Sequence, residues 1–380
     1  MGTLDWSVSV LGFGGMRFPV KESWDNIDYE KASEMIHYAI ENGVNYFDTA
    51  WLYHSGSSEK LFGKVLSDGY REKVKLVTKA PVWLIKTKED FHSYLKKQLD
   101  KLNTDYLDIY LLHGLNYQKW ENALKQGLMD EMLKLKDKGI IRHIGFSFHD
   151  SYESFIKIID AFPWDVTQIQ YNYLDTDYQA TLKGLDYACK KNIAVVIMEP
   201  LLGGKLVQTN KEIETVLQNA PVKRSLADWA LQYIWNHPGV STVLSGMSTL
   251  EQVKENIEYA NNAIAKGLTE DELNTINELK TAYKKKIKIP CTSCQYCMPC
   301  PHGVNIPENF ALMNHAYWEG KIYPFLQKWY DELDSTDIST DWHGKGKASL
   351  CIECGECLDK CPQNIDIPGE LAEITAKFES

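Results

Sequence analysis

Eight short apolar runs, separated by amphipathic stretches, occupy the first two thirds of this 380-residue chain. Apolar strands that alternate with helices are typical of a parallel sheet whose faces are covered by helices. Eight such units over about 240 residues favour a closed (β/α)8 barrel, the TIM barrel, over an open doubly wound sheet. The predicted strands are Val8–Leu11, Asn45–Phe47, Val74–Thr78, Tyr106–Leu112, Ile140–Phe146, Val166–Gln170, Ile193–Met198 and Thr242–Leu244.

The stretches between these strands have helical periodicity. Leu124, Leu128, Met132 and Leu135 follow one another at steps of three and four residues, which predicts that all four lie on one face of a helix. The segment Thr269–Tyr283 is predicted to form one more helix after the last strand.

A run of lysines marks the predicted domain boundary. Lys284–Lys286, Lys288 and then Pro290 end the helical periodicity. We therefore expect a barrel over residues 1–283 and a second domain over residues 284–380. A solvated linker is the favoured interpretation of the lysine run, and a docking patch for an acidic redox partner is the alternative.

Composition narrows the possible partners and the compartment. The chain carries 52 Asp and Glu against 41 Lys and Arg, for a net charge of -11, so a nucleic-acid partner is not expected. The N-terminal residues 1–18 lack a signal-peptide pattern, and the apolar run Ile193–Met198 is far shorter than the roughly 18 residues of a membrane span. We expect a soluble, cytoplasmic protein without membrane contact. Eight of its nine cysteines lie in two tight groups near the C-terminus, which indicates metal binding in a reducing compartment rather than disulfides.

Four titratable residues lie where predicted strands end. Asp48 follows the second strand, Tyr53 lies in the next loop, and Lys79 and His113 end the third and fourth strands. In a TIM barrel, chemistry is built at this rim. Each residue taken alone has an ordinary structural interpretation: Asp48 as a loop cap, Tyr53 as an aromatic residue at the rim, Lys79 as a surface charge and His113 as a core histidine. Together they favour a proton donor for a carbonyl group.

The chemistry of this proton donor follows from the residue types. A free tyrosine has a pKa of about 10, and a nearby ammonium lowers that pKa because it favours the phenolate. Lys79 would supply the ammonium, and Asp48 would hold it in place. Neutral His113 would donate a hydrogen bond that orients the substrate oxygen.

These segments resemble a known family. Phe47–Ala50 with Tyr53, Val77–Lys79 and Leu111–His113 are similar in order and spacing to the catalytic tetrad of the aldo-keto reductases. The resemblance covers about Ser7–Ala260. It implies a (β/α)8 barrel that binds NADP or NAD without a Rossmann domain and that interconverts carbonyls and alcohols.

The resemblance also implies a set of cofactor contacts at other strand ends. Ser147 and Gln170 would hold the nicotinamide amide, and Tyr171 would stack on the nicotinamide ring. A helix that starts with small residues after the eighth strand offers free N–H groups to a phosphate. The implied cofactor contacts are Gly15, Met16, Arg17, Ser147, Gln170, Tyr171, Glu199, Pro200, Leu201, Gly203, Lys205, Ser245, Gly246, Ser248, Gln252, Glu255 and Asn256.

The sequence departs from the family pattern in two places. Phe148 stands where the family commonly has Asn, and Gly246 and Gln252 stand where many members carry Lys and Arg. The choice between NADP and NAD therefore stays open. A Rossmann fingerprint is not an alternative, since Arg17 occupies the third small position of the pattern that begins at Gly12.

The two cysteine groups predict iron–sulfur clusters. The second group reproduces the C-x2-C-x2-C-x3-C-P run of bacterial ferredoxins, whose last cysteine binds the other cluster. The first group has two residues before its last cysteine where three are usual. Zinc is the alternative, but it favours paired C-x2-C elements on either side of a spacer. The expected ligands are Cys291, Cys294, Cys297 and Cys361 for one [4Fe–4S] cluster, and Cys351, Cys354, Cys357 and Cys300 for the other.

The combination resembles a branch of the aldo-keto reductases with a C-terminal, mainly helical ferredoxin-like domain carrying two [4Fe–4S] clusters. We expect an NAD(P)H-dependent oxidoreductase that reduces a small carbonyl compound, or oxidises the alcohol, with Tyr53 as proton donor. The alternative is an electron-transfer protein whose clusters exchange electrons with a partner protein or substrate while the barrel serves as docking or reduction site. This alternative stays open because the electron transfer from nicotinamide to cluster is unexplained. A nicotinamide gives two electrons as hydride, a cluster takes one electron at a time, and the sequence contains no recognisable motif for the flavin that normally mediates between them.

Overall fold

The computed structural model describes residue 2, residues 4–333 and residues 346–379. By their contacts, the residues divide into two compact units. The first comprises Met1–Leu201 and Arg224–Leu273, and the second comprises Leu202–Lys223 and Asn274–Ser380. The second unit thus contains a segment that follows the seventh strand as well as the cysteine groups. A domain boundary at residue 284 stays a prediction.

The first unit is a closed barrel of eight parallel strands, as predicted. Each strand pairs with its neighbours in chain order, and β1 also pairs with β8, with Leu11 opposite Val243. The strands are β1 (Leu11–Gly14), β2 (Tyr46–Asp48), β3 (Lys75–Ala80), β4 (Leu107–Leu115), β5 (Ile141–Phe148), β6 (Val166–Gln170), β7 (Ala194–Met198) and β8 (Val240–Ser245).

Strand burial explains the sequence pattern. All nine residues of β4 are buried, because helices cover the outside of the barrel and side chains fill its inside. A glycine is required where β5 passes β6: a Cβ on Gly145 would lie 2.4 Å from the carbonyl oxygen of Val166. This packing holds the carboxyl ends of the strands at one rim.

The helices alternate with the strands, and many begin at a side-chain cap. Thr87, for example, caps α3 in a capping box with Asp90. Short 3-10 segments occur at Tyr53–Gly56, Arg71–Lys73 and Leu202–Val207. The helices up to the cysteine groups are α1 (Tyr29–Glu41), α2 (Ser57–Val65), α3 (Lys88–Leu102), α4 (Tyr117–Lys125), α5 (Leu128–Asp137), α6 (Tyr152–Asp160), α7 (Thr181–Lys190), α8 (Lys211–Asn219), α9 (Leu226–Trp235), α10 (Leu250–Asn261) and α11 (Glu270–Lys284).

Two expectations about elements are wrong in detail. The first strand begins at Leu11 rather than Val8, because its pairing with β8 starts at Leu11 and its pairing with β2 starts at Phe13. The apolar positions from Leu124 to Leu135 do not share one helix, since Gly127 takes a left-handed conformation with φ 67° between α4 and α5. Leu124 is accordingly 48% exposed.

The second unit has a small helical core next to the cysteines. Helices α12 (Ile306–Glu319), α13 (Pro324–Glu332) and α14 (Ile367–Phe378) and the 3-10 turn Ala348–Leu350 lie in this unit. Helices α12 and α14 begin alike: Asn305 and Asp366 cap them, and each cap is followed by a buried isoleucine and a proline. The two cysteine groups therefore lead into related halves.

The lysine run lies in the second unit, where Lys284 and Lys285 are exposed and three of its lysines have polar partners. Lys285 Nζ lies 2.9 Å from a Glu212 carboxylate oxygen, and Lys288 Nζ lies 2.9 Å from Glu373. Lys286 Nζ donates to the carbonyl oxygen of Trp318 at 2.8 Å. Within the described residues, no helix is both long enough and apolar enough to span a membrane.

Candidate active site

The strands place the four predicted catalytic residues at one rim of the barrel. Asp48 is the last residue of β2, and Tyr53 begins the 3-10 segment that follows it. Lys79 lies in β3 and His113 in β4. Tyr53 is 7% exposed and the other three at most 2%, so the cluster is shielded from water.

Lys79 connects the cluster. Its Nζ donates to Asp48 Oδ1 at 2.6 Å and to the carbonyl oxygen of Thr49 at 2.8 Å. The same ammonium lies 3.4 Å from the Tyr53 hydroxyl. The rings of Tyr53 and His113 meet edge to face with centroids 6.2 Å apart. The structure therefore brings the four residues together.

Burial shifts the pKa values of three of these groups. Burial raises the pKa of the Asp48 carboxyl, against the opposing effect of Lys79. Burial lowers the pKa of the Lys79 ammonium, against the opposing effect of Asp48. Burial also holds the pKa of His113 well below its usual value, and the charge of Lys79 adds to this shift. His113 is thus a neutral imidazole at pH 7 and can donate a hydrogen bond without carrying charge.

Sequence reasoning missed a buried polar network behind Lys79. Glu59 and Gln98 are completely buried, and Gln98 Nε2 donates to Glu59 Oε1 at 2.6 Å. Thr78 Oγ1 donates to the same oxygen at 2.7 Å. A signal was present in the sequence, because Glu59 falls among the apolar residues of the inward face of α2.

Aromatic rings lie beside His113 and in the loop after β2. The Trp83 ring lies 5.2 Å from the His113 ring. Trp51 meets Tyr94 edge to face at 4.9 Å, and the Lys101 ammonium lies 3.6 Å from the centre of the Trp51 ring.

The residues expected at the nicotinamide end lie at the ends of β5 and β6. Ser147 is buried, and its Oγ accepts the backbone N–H of Gly114, the residue after His113, at 2.7 Å. Gln170 is also buried, and its amide donates to Asp175 at 2.7 Å. The Tyr171 ring stacks on the Tyr233 ring with centroids 5.8 Å apart. Phe148, the departure from the family pattern, is fully buried in the core.

The residues expected at the phosphate end meet between the loops after β1 and β8. The Arg17 side chain lies over Gly246, where a Cβ would come within 3.1 Å of it. Ser248 Oγ donates to the carbonyl oxygen of Arg17 at 2.8 Å, and the Ser248 N–H donates to Gln252 Oε1 at 2.8 Å. A guanidinium beside the start of α10 fits an anionic phosphate group.

Neighbouring residues support this arrangement. Asn256 Nδ2 donates to Ser245 Oγ at 3.0 Å inside the barrel rim, and Glu255 is exposed on α10. The Gly15 N–H donates to the carbonyl oxygen of Asp48 at 2.7 Å, which joins the loop of Gly15 and Met16 to the end of β2.

The loop after β7 is divided between the two units. Glu199, Pro200 and Leu201 belong to the first unit, and Gly203 and Lys205 belong to the second. A Cβ on Gly203 would lie 2.7 Å from the carbonyl oxygen of Thr292, so residue 203 packs against the first cysteine group. A cofactor contact at Gly203 or Lys205 stays a prediction.

Two cavities in the second unit are lined by the clustered cysteines. In one cavity the cysteines are Cys291, Cys294, Cys297 and Cys361. In the other they are Cys297, Cys300, Cys351, Cys354 and Cys357. Each cavity thus combines cysteines from both groups. Among the residues that the structure describes, no set of three or more His, Cys, Asp or Glu side chains forms a site for a single metal ion.

The chemistry of the cysteines fits iron–sulfur clusters. All eight are free thiols, and soft thiolate sulfur is the usual ligand of such clusters. Burial raises the pKa of the Cys357 thiol to about 11 and raises that of Cys297 further. Because burial disfavours an isolated thiolate, these sulfurs need a positively charged group to bind in that form.

Comparison with known proteins agrees with the geometry. The profile of the aldo/keto reductase family matches residues 10–281, and that of the 4Fe-4S dicluster domain matches residues 290–365. The uncharacterized oxidoreductase YqkF of Bacillus subtilis (strain 168) is 28% identical over 308 residues, which cover 73% of this chain and 94% of that protein. The NADH-specific methylglyoxal reductase of Escherichia coli (strain K12) is 26% identical over 306 residues, covering 69% and 92%.

A solved structure is similar as well. An aldo-keto reductase from Bacillus halodurans in its holo form superposes with a TM-score of 0.62 at 29% identity, covering 73% of this chain and 94% of that one. The chain therefore belongs to the aldo/keto reductase family and is an oxidoreductase with a C-terminal 4Fe-4S dicluster domain.

Proposed function

We propose that this protein reduces a small carbonyl compound to an alcohol, or oxidises the alcohol, with NADPH or NADH, and that Tyr53 is the proton donor. The observation that carries the proposal is the buried contact of 3.4 Å between the Lys79 ammonium and the Tyr53 hydroxyl. A tyrosine beside an ammonium can give up its proton because the positive charge stabilises the phenolate.

The other residues of the cluster have supporting roles in this proposal. Asp48 holds the Lys79 ammonium at 2.6 Å and favours its charged form. Neutral His113 donates a hydrogen bond to the substrate oxygen and stabilises the negative charge that develops on it. A nicotinamide cofactor supplies the hydride when it is bound.

The strand ends offer a set of groups suited to that cofactor. Ser147 and Gln170 would hold the nicotinamide amide, and Tyr171 would lie against its ring. Arg17 and the start of α10 would hold the phosphates, because a guanidinium and free helical N–H groups both favour anions. Gly246 and Gln252 add no positive charge there, so the proposal includes both dinucleotides.

The proposed substrate is a small carbonyl compound. The Trp83 ring lies 5.2 Å from the His113 ring, so an aromatic side chain lies beside the proposed hydrogen-bond donor. The similarity to a methylglyoxal reductase, an enzyme named for a small dicarbonyl, supports the same class.

Tyr53→Phe is the test of the proton donor. The variant should lose carbonyl turnover by about a hundredfold or more, the lower range for general acid catalysis, because only the proton donor is removed. The affinity for the dinucleotide, measured by fluorescence titration, should stay within about twofold because the hydroxyl acts mainly in the transition state.

Tyr46→Phe is the matched control. Tyr46 is a fully buried tyrosine of β2 that the proposal does not use, so its variant should keep wild-type turnover. Near wild-type turnover in Tyr53→Phe would overturn the assignment. If anaerobic NADPH reduced iron–sulfur absorbance while no carbonyl was turned over, electron transfer would replace carbonyl reduction as the proposed function.

We also propose that the second unit holds two [4Fe–4S] clusters with crossed ligation. The cysteines that line the two cavities support this assignment, because each cavity contains the three closely spaced cysteines of one group and the last cysteine of the other. Eight such thiols also support a reducing, cytoplasmic location.

A further inference from the structure

A buried carboxylate that the proposed chemistry does not use lies behind Lys79. Glu59, on α2, is completely buried. Thr78 Oγ1 and Gln98 Nε2 donate to its Oε1 at 2.7 Å and 2.6 Å. Lys101 Nζ donates to its Oε2 at 3.0 Å. A carboxylate is buried only when hydrogen bonds and a counter-charge replace water, and these three donors do so.

The same network holds the strand segment that carries Lys79. Gln98 Nε2 lies 3.0 Å from the backbone carbonyl oxygen of Lys79. Thr78, which binds Glu59, is the residue before Lys79 in β3. The Tyr110 hydroxyl donates to Gln98 Oε1 at 2.7 Å and so fixes the orientation of the amide. Contacts of this length leave the end of β3 little freedom to move.

The charge of Glu59 also acts on Lys79. Burial lowers the pKa of the Lys79 ammonium, and first Asp48 and then Glu59 oppose that shift. Removing either carboxylate would therefore make the ammonium easier to deprotonate. The titratable groups around Lys79 and Glu59 come from five elements: Asp48 of β2, Tyr53 of the 3-10 segment, Glu59 of α2, Lys101 of α3, and Tyr110 and His113 of β4.

We propose that Glu59 is a positioning residue for the proton donor: through Thr78 and Gln98 it fixes the end of β3, and its buried charge keeps the Lys79 ammonium protonated beside Tyr53. The inference rests on the proposed carbonyl reduction. Glu59 touches none of the reacting atoms, so its effect is transmitted through Lys79.

Glu59→Gln tests the role of the charge. The amide keeps the shape of the side chain and can still accept the hydrogen bond of Thr78. Loss of a negative charge lowers the proton affinity of every nearby group, so the basic limb of the pH profile of carbonyl reduction should move to lower pH by about one unit. The sign is the same whether Lys79 or Tyr53 carries the titrating proton. At pH 8, kcat should fall while KM stays near the wild-type value.

Glu131→Gln is the matched control for loss of a buried carboxylate. Glu131 lies on α5 and binds Lys88, His92 and Lys134, so its removal also breaks a network of cations. This variant should lose stability but leave the pH profile where it is. An equal shift in both variants would overturn the proposal, since the effect would then be general destabilisation.

Lys101→Met is a second test, in which the basic limb of the pH profile should shift in the opposite direction. This variant keeps the proposal testable if Glu59→Gln does not fold. Removing this cation leaves the charge of Glu59 less compensated, so the basic limb should move to higher pH. An unchanged or lower limb in Lys101→Met, or an unchanged limb in folded Glu59→Gln, would overturn the role of Glu59. Failure of the proposed function is separate, because it would appear as turnover that survives Tyr53→Phe.

Discussion

Three histidines of the barrel are held neutral by burial. Burial lowers the pKa of His54 to about 4 and that of His149 to about 3, and it lowers the pKa of His113 as well. His54 is fully buried, its ring stacks on Trp24 at 4.2 Å, and its Nδ1 lies 2.6 Å from the Trp24 carbonyl oxygen. The folded protein therefore resists protonation at pH values where the unfolded chain accepts it.

This resistance predicts a loss of stability in acid. Between about pH 6.5 and 4 the unfolded chain binds more protons than the folded one, so the free energy of unfolding falls as the pH falls. A shift of the His54 pKa from 6.5 to about 4 corresponds to about 2 kcal/mol lost between pH 7 and pH 5. Urea unfolding followed by circular dichroism at both pH values measures this loss.

His54→Gln should lose less stability on acidification than the wild type, because one protonation site is absent from the unfolded chain. Gln118→Ala is the control, since Gln118 is exposed and has no titratable group, so the difference between the two pH values should be unchanged. The same acid loss in His54→Gln as in the wild type would contradict the prediction.

Individual residues differ in how far the sequence predicts their place. Asp48, Lys79 and His113 each follow an apolar run directly, and parallel strands end at one rim, so their proximity could be predicted. The position of Glu59 among apolar residues of α2 indicates that it is buried. Its partners, and those of Gln98, could not be predicted, because they come from separate elements and no sequence spacing relates them. Their hydrogen-bond network is a tertiary property.

At the scale of elements, hydrogen bonds join the start of α10 to the loop that precedes it. Gln252, in the first turn of α10, accepts the N–H of Ser248 at 2.8 Å, and Thr249 caps the helix. Ser248 in turn binds the backbone of Arg17. The position of the proposed phosphate-binding loop therefore depends on one side chain of the helix.

Gln252→Ala should weaken dinucleotide binding more than it slows the chemistry. Loss of one hydrogen bond that orders the loop should cost about 1 kcal/mol, or about fivefold in Kd. Single-turnover kinetics at saturating dinucleotide should show a rate close to that of the wild type. Glu258→Gln, an exposed change nearer the end of the same helix, is the control and should alter neither quantity. An unchanged Kd with a slower chemical step would mean that the phosphate site lies elsewhere.

The presence of each strand could be predicted more accurately than the residues at which strands and helices begin and end. Continuous apolar runs identified all eight strands because both faces of each strand are buried. The start of β1 depends on pairing partners far away in the chain, and the break between α4 and α5 depends on a single left-handed glycine. Neither the start of β1 nor this helix break alters the periodicity of apolar residues, and the elements were predicted from that periodicity.

At the scale of the whole molecule, the second unit brings together cysteines that are distant in sequence. Cys361 lines the cavity of Cys291, Cys294 and Cys297, and Cys300 lines the cavity of the second group. Clusters bound in this way would join the two halves into one folding unit, because metal binding and folding are coupled.

Iron content and one variant test this arrangement. Anaerobically prepared protein should contain about eight iron atoms per chain. Cys361→Ser should damage the cluster held by the first cysteine group, and electron paramagnetic resonance of the reduced protein should show the loss of that signal. Cys189→Ser is the control, because Cys189 lies outside both cavities, on α7. Stoichiometric zinc with little iron would exclude the clusters, and damage confined to the second cluster would contradict the crossed ligation.

The division into units was only partly predictable. The barrel and the cysteine-rich segment have distinct sequence patterns, and both were expected. The segment Leu202–Lys223 follows β7 and has the character of an ordinary barrel connection, yet it belongs to the second unit. Its contacts there, such as the Tyr283 hydroxyl donating to the carbonyl oxygen of Gln208 at 2.6 Å, involve backbone atoms that leave no trace in the sequence.

The position of Cys361 beside the first cysteine group bears on how the protein is made. A ribosome releases the chain from its N-terminus, so Cys291, Cys294 and Cys297 emerge well before the thiol that shares their cavity. In the proposed arrangement, the first three thiols would be exposed to oxidants and to other metal ions until then. If Cys361 is the fourth ligand, as proposed, a complete cluster can form at this site only after Cys361 has been translated, when every strand of the barrel has already left the ribosome.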